Sequence, residues 1–307
     1  VDSLVFVPVA GLSLTNYYTK HSRQFKAESP SEAFTKAFGP PVVSHKVKAA
    51  DGTETDLTMP NDSAQLATLR TTVALSLLEG FRPWVKFGLS AYLRQENNWA
   101  DLPDSTTHRY QRQRFSSTFV GGLIERREGE GLNFSARAEL GVLGRDLGAL
   151  RLEGDVRTAF RLAGRRFALE ADGHLENGAP SFFAAHHHGT YGWWDKQLEF
   201  TRRAELGRLH LDSWGTSAEL RTSSLQNYIY FDSKGETQQY GPLIQVLALR
   251  LRHANRWGML NWELDAAYQK SSVESILPLP ELSAAADVYL RFLVASVMRI
   301  DLGVKGY

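Results

Sequence analysis

The chain has 307 residues, with 35 Lys and Arg against 34 Asp and Glu, a net charge of +1 and no cysteine. Balanced charge with interleaved signs argues against a nucleic-acid binder, and the missing cysteine removes disulfides, thiolate chemistry and cysteine-ligated metal. No stretch approaches the roughly 18 consecutive apolar residues of a membrane helix, and the length suits one or two soluble domains or a single barrel.

In chain order, the opening apolar run lacks a basic n-region and an initiator Met, so it reads as a strand over residues 4–18, any signal peptide having been removed or never included. Residues 19–65, with Pro30, Pro40, Pro41, Gly52 and Pro60, read as one large polar loop. Strands are then predicted over residues 66–79, 82–95, 108–126, 132–143, 149–162, 165–175, 192–206, 209–221, 226–232, 242–253, 259–269, 287–297 and 298–307. With the first, that makes about fourteen, a count good to two either way. Tight glycine-bearing turns (Glu79-Gly80, Gly129-Glu130-Gly131, Gly164, Gly207) alternate with longer links (residues 96–107 and 176–191), the short-turn and long-loop sides of an outer-membrane barrel. The alternation breaks at residues 270–286, which are long and carry Pro278 and Pro280: either a strand is miscounted or this loop is unusual.

Residues 132–175 decide the fold class. Leu132, Phe134, Ala136, Ala138, Leu140 and Val142 share one parity against Asn133, Ser135, Arg137 and Glu139, and two further segments repeat the pattern. A period of two is a strand with one apolar and one charged face. Soluble-sandwich strands typically run about 5 to 6 residues, whereas a tilted strand needs about 9 to 11 to cross a bilayer. Small residues on the apolar face (Ala136, Ala138, Gly154) suit contact with fluid lipid. The expectation is an all-β fold, a transmembrane antiparallel up-and-down β-barrel of one domain over residues 1–307, with its charged parity facing a wet lumen. The expected lumen-lining charges are Arg112, Arg114, Arg137, Glu139, Arg151, Glu153, Asp155, Arg157, Arg161, Arg166, Glu170, Asp172, Glu199, Arg203 and Glu205. Arg202 and Arg250 fall awkwardly on the lipid parity, which hints at a non-conducting scaffold barrel and is explained equally well by a local bulge. Trp84, Trp99, Trp193, Trp194, Tyr228, Tyr230, Trp257 and Trp262 fall near predicted strand ends, where an amphipathic ring is most stable at the headgroup level.

The segment Asn227-Tyr228-Ile229-Tyr230-Phe231-Asp232, then Tyr268-Gln269-Lys270-Ser271-Ser272 followed by Leu277-Pro278-Leu279-Pro280-Glu281-Leu282, with the Trp194-Asp195 pair, resembles the putative porin family of Bacteroidota outer membranes. The likeness is clearest over residues 182–307; upstream, the strand pattern alone supports it. The resemblance implies an outer-membrane barrel with a porin-like channel role, no catalytic residue, and members longer than this chain. Because Met298, Ile300, Leu302 and Val304 set the outward parity, Tyr307 points inward, and the chain is expected to stop before the true C-terminus of a larger barrel or to close a smaller one.

Other motifs carry less chemistry. His186-His187-His188 cannot all project to one side of an extended chain, so at most two share a metal, with His174 or Asp195 completing it; a polar external loop is the expected reading. No strained Gly-x-Ser-x-Gly turn is present. Carboxylate pairs such as Glu153 with Asp155 and Glu170 with Asp172 have arginine beside them, which favours the ionised state over a raised catalytic pKa. The expected function is passive diffusion of small hydrophilic solutes across the outer membrane with weak ion selectivity, without metal, cofactor or enzymatic activity. The expected partners are the lipid bilayer and lipopolysaccharide. The alternatives are a non-conducting barrel serving as scaffold in an outer-membrane assembly or envelope complex, and a barrel lipase or protease.

Overall fold

The computed structural model describes residues 9–26, 36, 39, 42, 45–48, 54–57, 61–79, 86–104, 110–127, 131–213 and 215–307. Its strands are β1 (Ala10–Lys26), β2 (His45–Lys48), β3 (Glu54–Leu57), β4 (Asn61–Leu77), β5 (Gly88–Pro103), β6 (Tyr110–Arg126), β7 (Leu132–Gly144), β8 (Leu150–Leu162), β9 (Arg165–Gly178), β10 (His186–Gly189), β11 (Gly192–Asp195), β12 (Thr201–Ser213), β13 (Thr216–Gln226), β14 (Tyr228–Phe231), β15 (Thr237–Tyr240), β16 (Ile244–Trp257), β17 (Leu260–Ser271), β18 (Leu282–Val294) and β19 (Met298–Gly306). One helical turn, α1 (Phe182–Ala185), precedes β10.

Thirteen of these strands form one antiparallel meander in the order β1-β4-β5-β6-β7-β8-β9-β12-β13-β16-β17-β18-β19, and three two-stranded hairpins lie outside it. This is the up-and-down β-barrel wall that the alternation predicts. Among the described residues no pairing joins β1 to β19, so the sheet has two edges. At one end the strands meet in tight turns. Ala163 and Gly164 both take positive φ, 50° and 76°, the two-residue turn whose twist matches the strands it joins. The other end carries most of the long connections, including residues 179–200 and 227–243.

The structure corrects several boundaries. Both ends of the expected 19–65 loop are strand: β1 runs to Lys26 and β4 begins at Asn61, in continuous register from Ala10↔Leu77 to Lys26↔Asn61. Polar side chains there conceal the strands, because in residues 19–26 and 61–65 no run of apolar residues alternates with polar ones. Gly207 is not a turn. The register shifts between Leu206 and Leu209 while β12 continues, and the reversal comes at Gly215, with φ of 65°. Residues 226–232 do not cross the wall but end β13 and form the β14–β15 hairpin. With these changes the long 272–281 link falls on the long-loop side, and the apparent break in alternation disappears.

The α1 turn and the β10–β11 hairpin pack on one face of the sheet, here termed inner. The outer face is apolar over much of the wall and open to its surroundings: Leu12 is 77% exposed, Leu302 65% and Val304 77%. The buried hydrophobic cluster lies on the inner side instead, where Ala64, Ala100, Leu102 and Phe182 pack with Leu66, Phe115 and Phe183.

Candidate functional site: a charged inner wall and its plug

Strand pairing places opposite charges side by side on the inner face. Across β7 and β8, Arg137 faces Glu153 and Glu139 faces Arg151; across β8 and β9, Arg151 faces Glu176 and Arg157 faces Glu170. At the centre, Arg70 Nε donates to Glu96 Oε1 at 2.7 Å, Arg94 to Glu139 Oε1 at 2.6 Å, and Arg151 to Glu139 Oε1 at 3.3 Å and Glu176 Oε1 at 2.6 Å. Tyr92 Oη donates to Glu139 Oε2 at 3.1 Å, and the Arg94 guanidinium lies 4.2 Å from the Phe119 ring centroid. The result is a transverse chain of charge-assisted bonds running from β4 to β9, with the Glu139 side chain only 5% exposed and that of Arg94 11%. Gly121 permits it: a Cβ there would stand 2.3 Å from the Tyr92 ring and 2.8 Å from the Ala138 carbonyl. The lattice continues more openly through Arg203–Glu205, Arg250 and Arg252 with Asp265, and Arg291–Asp301.

Residues 179–200 fold onto this face as a plug. Ser181 caps α1, accepting from Ala184 N at 3.2 Å. Phe182 is buried, its ring stacked 5.4 Å from Phe115 of the wall. Arg145, in the β7–β8 turn, lies over Phe115 and donates to the Pro180 carbonyl at 2.8 Å. In the hairpin, fully buried Thr190 donates from N and Oγ1 to the two oxygens of Asp62 at 2.8 and 2.7 Å. His186 and His188 both meet Asp195, at 2.7 and 3.0 Å, and His188 Nδ1 lies 2.7 Å from the Pro103 carbonyl of β5. His188 thus bridges the hairpin carboxylate of Asp195 and the Pro103 carbonyl of the wall. Burial by itself raises the Asp195 carboxyl, but the histidine bonds outweigh it and hold it below the usual carboxylate range. His187 points the other way. It accepts from Arg23 at 2.8 Å and stacks on Trp194, and burial followed by the Arg23 charge pushes it down to about 4. The predicted polar external loop is therefore an inward-packed element. Among the described residues, no group of three His, Asp or Glu is arranged to hold a metal ion.

A wall of this kind is also what the comparisons find. A family model described as "Putative porin" matches residues 2–307. The chain belongs to this porin family. The crystal structure of the siderophore receptor PirA from Pseudomonas aeruginosa resembles this porin-family chain with a TM-score of 0.53 at 14% identity, over 92% of the chain and 55% of the receptor. The chain thus spans about half of that receptor, and at this identity the likeness concerns the fold alone. No curated protein sequence matches it.

Of the residues singled out from sequence, Arg137, Glu139, Arg151, Glu153, Asp155, Arg157, Arg161, Arg166, Glu170, Asp172, Arg203 and Glu205 share the inner face of this porin-family wall. Three do not. Arg112 and Arg114 pair across from Asp101 and Trp99 on the outer face, and Arg112 bonds Asp101 there at 2.7 Å. The parity was misjudged because β6 turns Phe115 and Phe119 inward, the first against the plug and the second under Arg94. Glu199 precedes β12, and its backbone bonds Gln239 in the link leaving the plug. Arg250, expected toward lipid, is on the inner face with Asp265. Trp193 and Trp194 lie in the inward-packed β10–β11 hairpin, where they stack on His188 and His187, and Tyr228 and Tyr230 lie in the β14–β15 hairpin. Trp257 and Trp262 are on the outer face near the tight-turn end, and Trp84 lies outside the described residues. Arg70, Arg94 and Glu96 were missed, although Tyr92, Arg94 and Glu96 alternate against Leu89, Ala91 and Leu93. The predicted strand stopped at Gln95, one residue short of Glu96. Arg23, Asp62 and Phe182 had no local signal, because their roles arise from contacts between wall and plug.

Proposed function

We propose that the chain is an outer-membrane channel for passive diffusion of small hydrophilic solutes, with weak ion selectivity and no chemistry of its own. The observation that carries this reading is an inner face rich in both Arg and Asp or Glu, many of them ion-paired, set on a wall whose outer face is largely apolar. Opposed charges along a wet bore orient polar solutes, while near-balance leaves little preference between anions and cations. The plug narrows the long-loop end and sets the size limit. In the outer membrane the outer face meets lipid and lipopolysaccharide.

The test is single-channel recording of the full-length protein in a planar bilayer, with the reversal potential in a salt gradient. Stable ohmic steps with a reversal potential near zero support the reading. A folded protein that stays silent, both intact and with residues 181–197 replaced by a Gly-Ser linker, rejects it.

One observation favours the second reading, a scaffold within an envelope assembly. On the outer face Asn16, Thr71, Gln95 and Thr118 form a polar row across β1, β4, β5 and β6, with bonds at 2.8 Å (Thr71 to Asn16) and 2.5 Å (Thr118 to Gln95). A partner protein satisfies such a row better than acyl chains do. Cross-linking from Thr71→Cys to other envelope proteins in intact cells tests it.

A further inference from the structure

We propose that Lys20 and Arg114, on the outer face at the long-loop end, bind the phosphorylated headgroup of one lipopolysaccharide molecule. The inference rests on the outer-membrane reading and assigns a fixed lipid site to one patch of the wall.

Strand register fixes the height of the patch. Lys20 pairs with Ala67, Ala67 with Trp99 and Trp99 with Arg114, so the four form one outward row across β1, β4, β5 and β6. Nearer the tight turns, Ala10, Leu77, Leu89 and Ile124 form the row that begins the apolar part of this face. From Leu89 to Trp99 the strand advances ten residues, about 33 Å of strand at ~3.3 Å per residue. At a tilt of about 40° that is about 25 Å of height, the height of a barrel's apolar band. The two cations therefore stand at its upper limit. Short turns mark the periplasmic side and long loops the external one, which puts the row among the headgroups of the outer leaflet. Aromatic rings mark the same level: Trp99 lies in the row, with exposed Tyr18 one row below and exposed Tyr110 two rows above.

Charge selects the ligand. One row above, both oxygens of Asp101 accept from Arg112, from Nε at 2.7 Å and Nη2 at 2.9 Å, and the Lys20 charge also reaches this carboxylate through space. Three cations thus meet one carboxylate, an excess of two positive charges. Lys20 and Arg114 are exposed, and no hydrogen bond or ion pair joins either to another described residue. Outward Lys270 on β17 differs, since Glu281 lies 3.6 Å away. A cation at the headgroup level is stabilised by a lipid phosphate.

Spacing favours lipopolysaccharide over a phospholipid. Lys20 and Arg114 are three strand spacings apart, about 14 Å at ~4.8 Å each, with Ala67 and the Trp99 ring between them. A disaccharide with a phosphate at each end reaches both cations, whereas a single-phosphate headgroup reaches one.

The experiment titrates the folded full-length protein in detergent micelles with lipid A carrying both phosphates, with the same lipid stripped of them, and with inorganic pyrophosphate. Native mass spectrometry counts what stays bound. One phosphorylated lipid A per chain is expected, with the stripped lipid and pyrophosphate at least tenfold weaker. Lys20→Gln and Arg114→Gln should each weaken lipid A at least threefold and together at least tenfold, while Lys270→Gln changes nothing. The stripped lipid needs no variant, so the comparison decides even if the double variant fails to fold. The proposal is overturned if the two lipids bind alike, if pyrophosphate binds as tightly as lipid A, or if the folded double variant binds as the wild type does. Capture of an acidic envelope protein through these two cations, with the two lipids bound alike, would give the patch to a protein partner instead. Cell fractionation separates the two levels of failure. Protein recovered in the outer membrane without a phosphate preference ends this inference alone, whereas protein absent from that membrane ends the outer-membrane reading with it.

Discussion

Strands β4–β9 and strands β16–β19 carry the same alternation, yet they solve different problems. At the centre of the first group the inner side chains cover one another, so Glu139 and Arg94 are nearly buried, at 5% and 11% side-chain exposure, and Glu139 is bonded by Arg94, Arg151 and Tyr92. In the second the inner face is small and open. Asp265 meets Arg250 and Arg252, and Asp301 meets Arg291, with 31% and 41% of the acidic side chains exposed. The outer faces differ in the opposite sense. The first group is crossed by the polar Asn16–Thr118 row, whereas β16–β19 present Leu247, Leu249, Leu251, Leu264, Val288, Leu290, Leu302 and Val304, with His253 and Asn255 toward the tight-turn end. Period-two patterning thus sets which residues share a face, and whatever covers that face decides what each contact contributes.

The largest test of this contrast removes one acid from each region. Glu139→Ala leaves Arg94 buried without its main partner and should destabilise the folded protein by about 3–5 kcal/mol. Asp265→Ala breaks a solvent-exposed cluster and should cost about 1 kcal/mol or less. Urea unfolding in detergent, followed by tryptophan fluorescence, reads both, and equal losses would end the distinction between a buried and an open lattice.

Next in size is the plug itself. Phe182→Ala empties the space between Phe115 and His186, a change that typically costs about 3–5 kcal/mol when a buried ring is removed. Here the loss should be confined to residues 179–200. Proteolysis within the plug and single-channel conductance should both rise, while hydrogen exchange in β16–β19 stays as in the wild type. Uniform loosening of the whole wall would show that plug and wall are one cooperative unit.

A smaller effect comes from pH. His187 is depressed from 6.5 to about 4 in the folded state, so between these values the unfolded hairpin takes up a proton that the folded one does not. Its contribution is complete above about 6.5 and is lost as pH falls through that window to about 4. The low-lying Asp195 carboxyl keeps its histidine bonds across the same range and releases them only below its own ordinary value. Trp194, stacked on His187, should therefore show a fluorescence step in the folded protein with its midpoint at about pH 4, and His187→Gln should abolish the step. An unchanged titration in that variant would place the titrating group elsewhere.

Much of the wall was legible because each strand states its own parity: Leu132 to Val142 against Asn133 to Glu139 needs no knowledge of the neighbours. What escaped depended on residues far away in sequence. Phe182 is meaningful only beside Phe115, Asp62 only beside Thr190, and His187 only beside Arg23, pairs separated by 67, 128 and 164 positions respectively. The same long-range contacts turned Phe115 inward and made the local rule, apolar toward lipid, give the wrong face for β6. Gly207 failed for a related reason, since glycine marks a bulge as readily as a turn, and only the register of β9 and β13 distinguishes them.

The smallest expected effect is the sharpest test of that inverted parity. Arg114 lies in the outer row with Lys20, Ala67 and Trp99, whereas Arg151 lies in the inner lattice between Glu139 and Glu176. Removing Arg151 takes a positive charge from the inner face and leaves Glu176 without its 2.6 Å partner, so under the proposed channel reading Arg151→Gln should move the reversal potential toward cation preference. Arg114→Gln removes the same charge from the other side of the sheet and should leave both conductance and reversal potential unchanged. Should the two variants shift selectivity alike, β6 would have its faces the other way round, and the inward packing of Phe115 against the plug would fall with it.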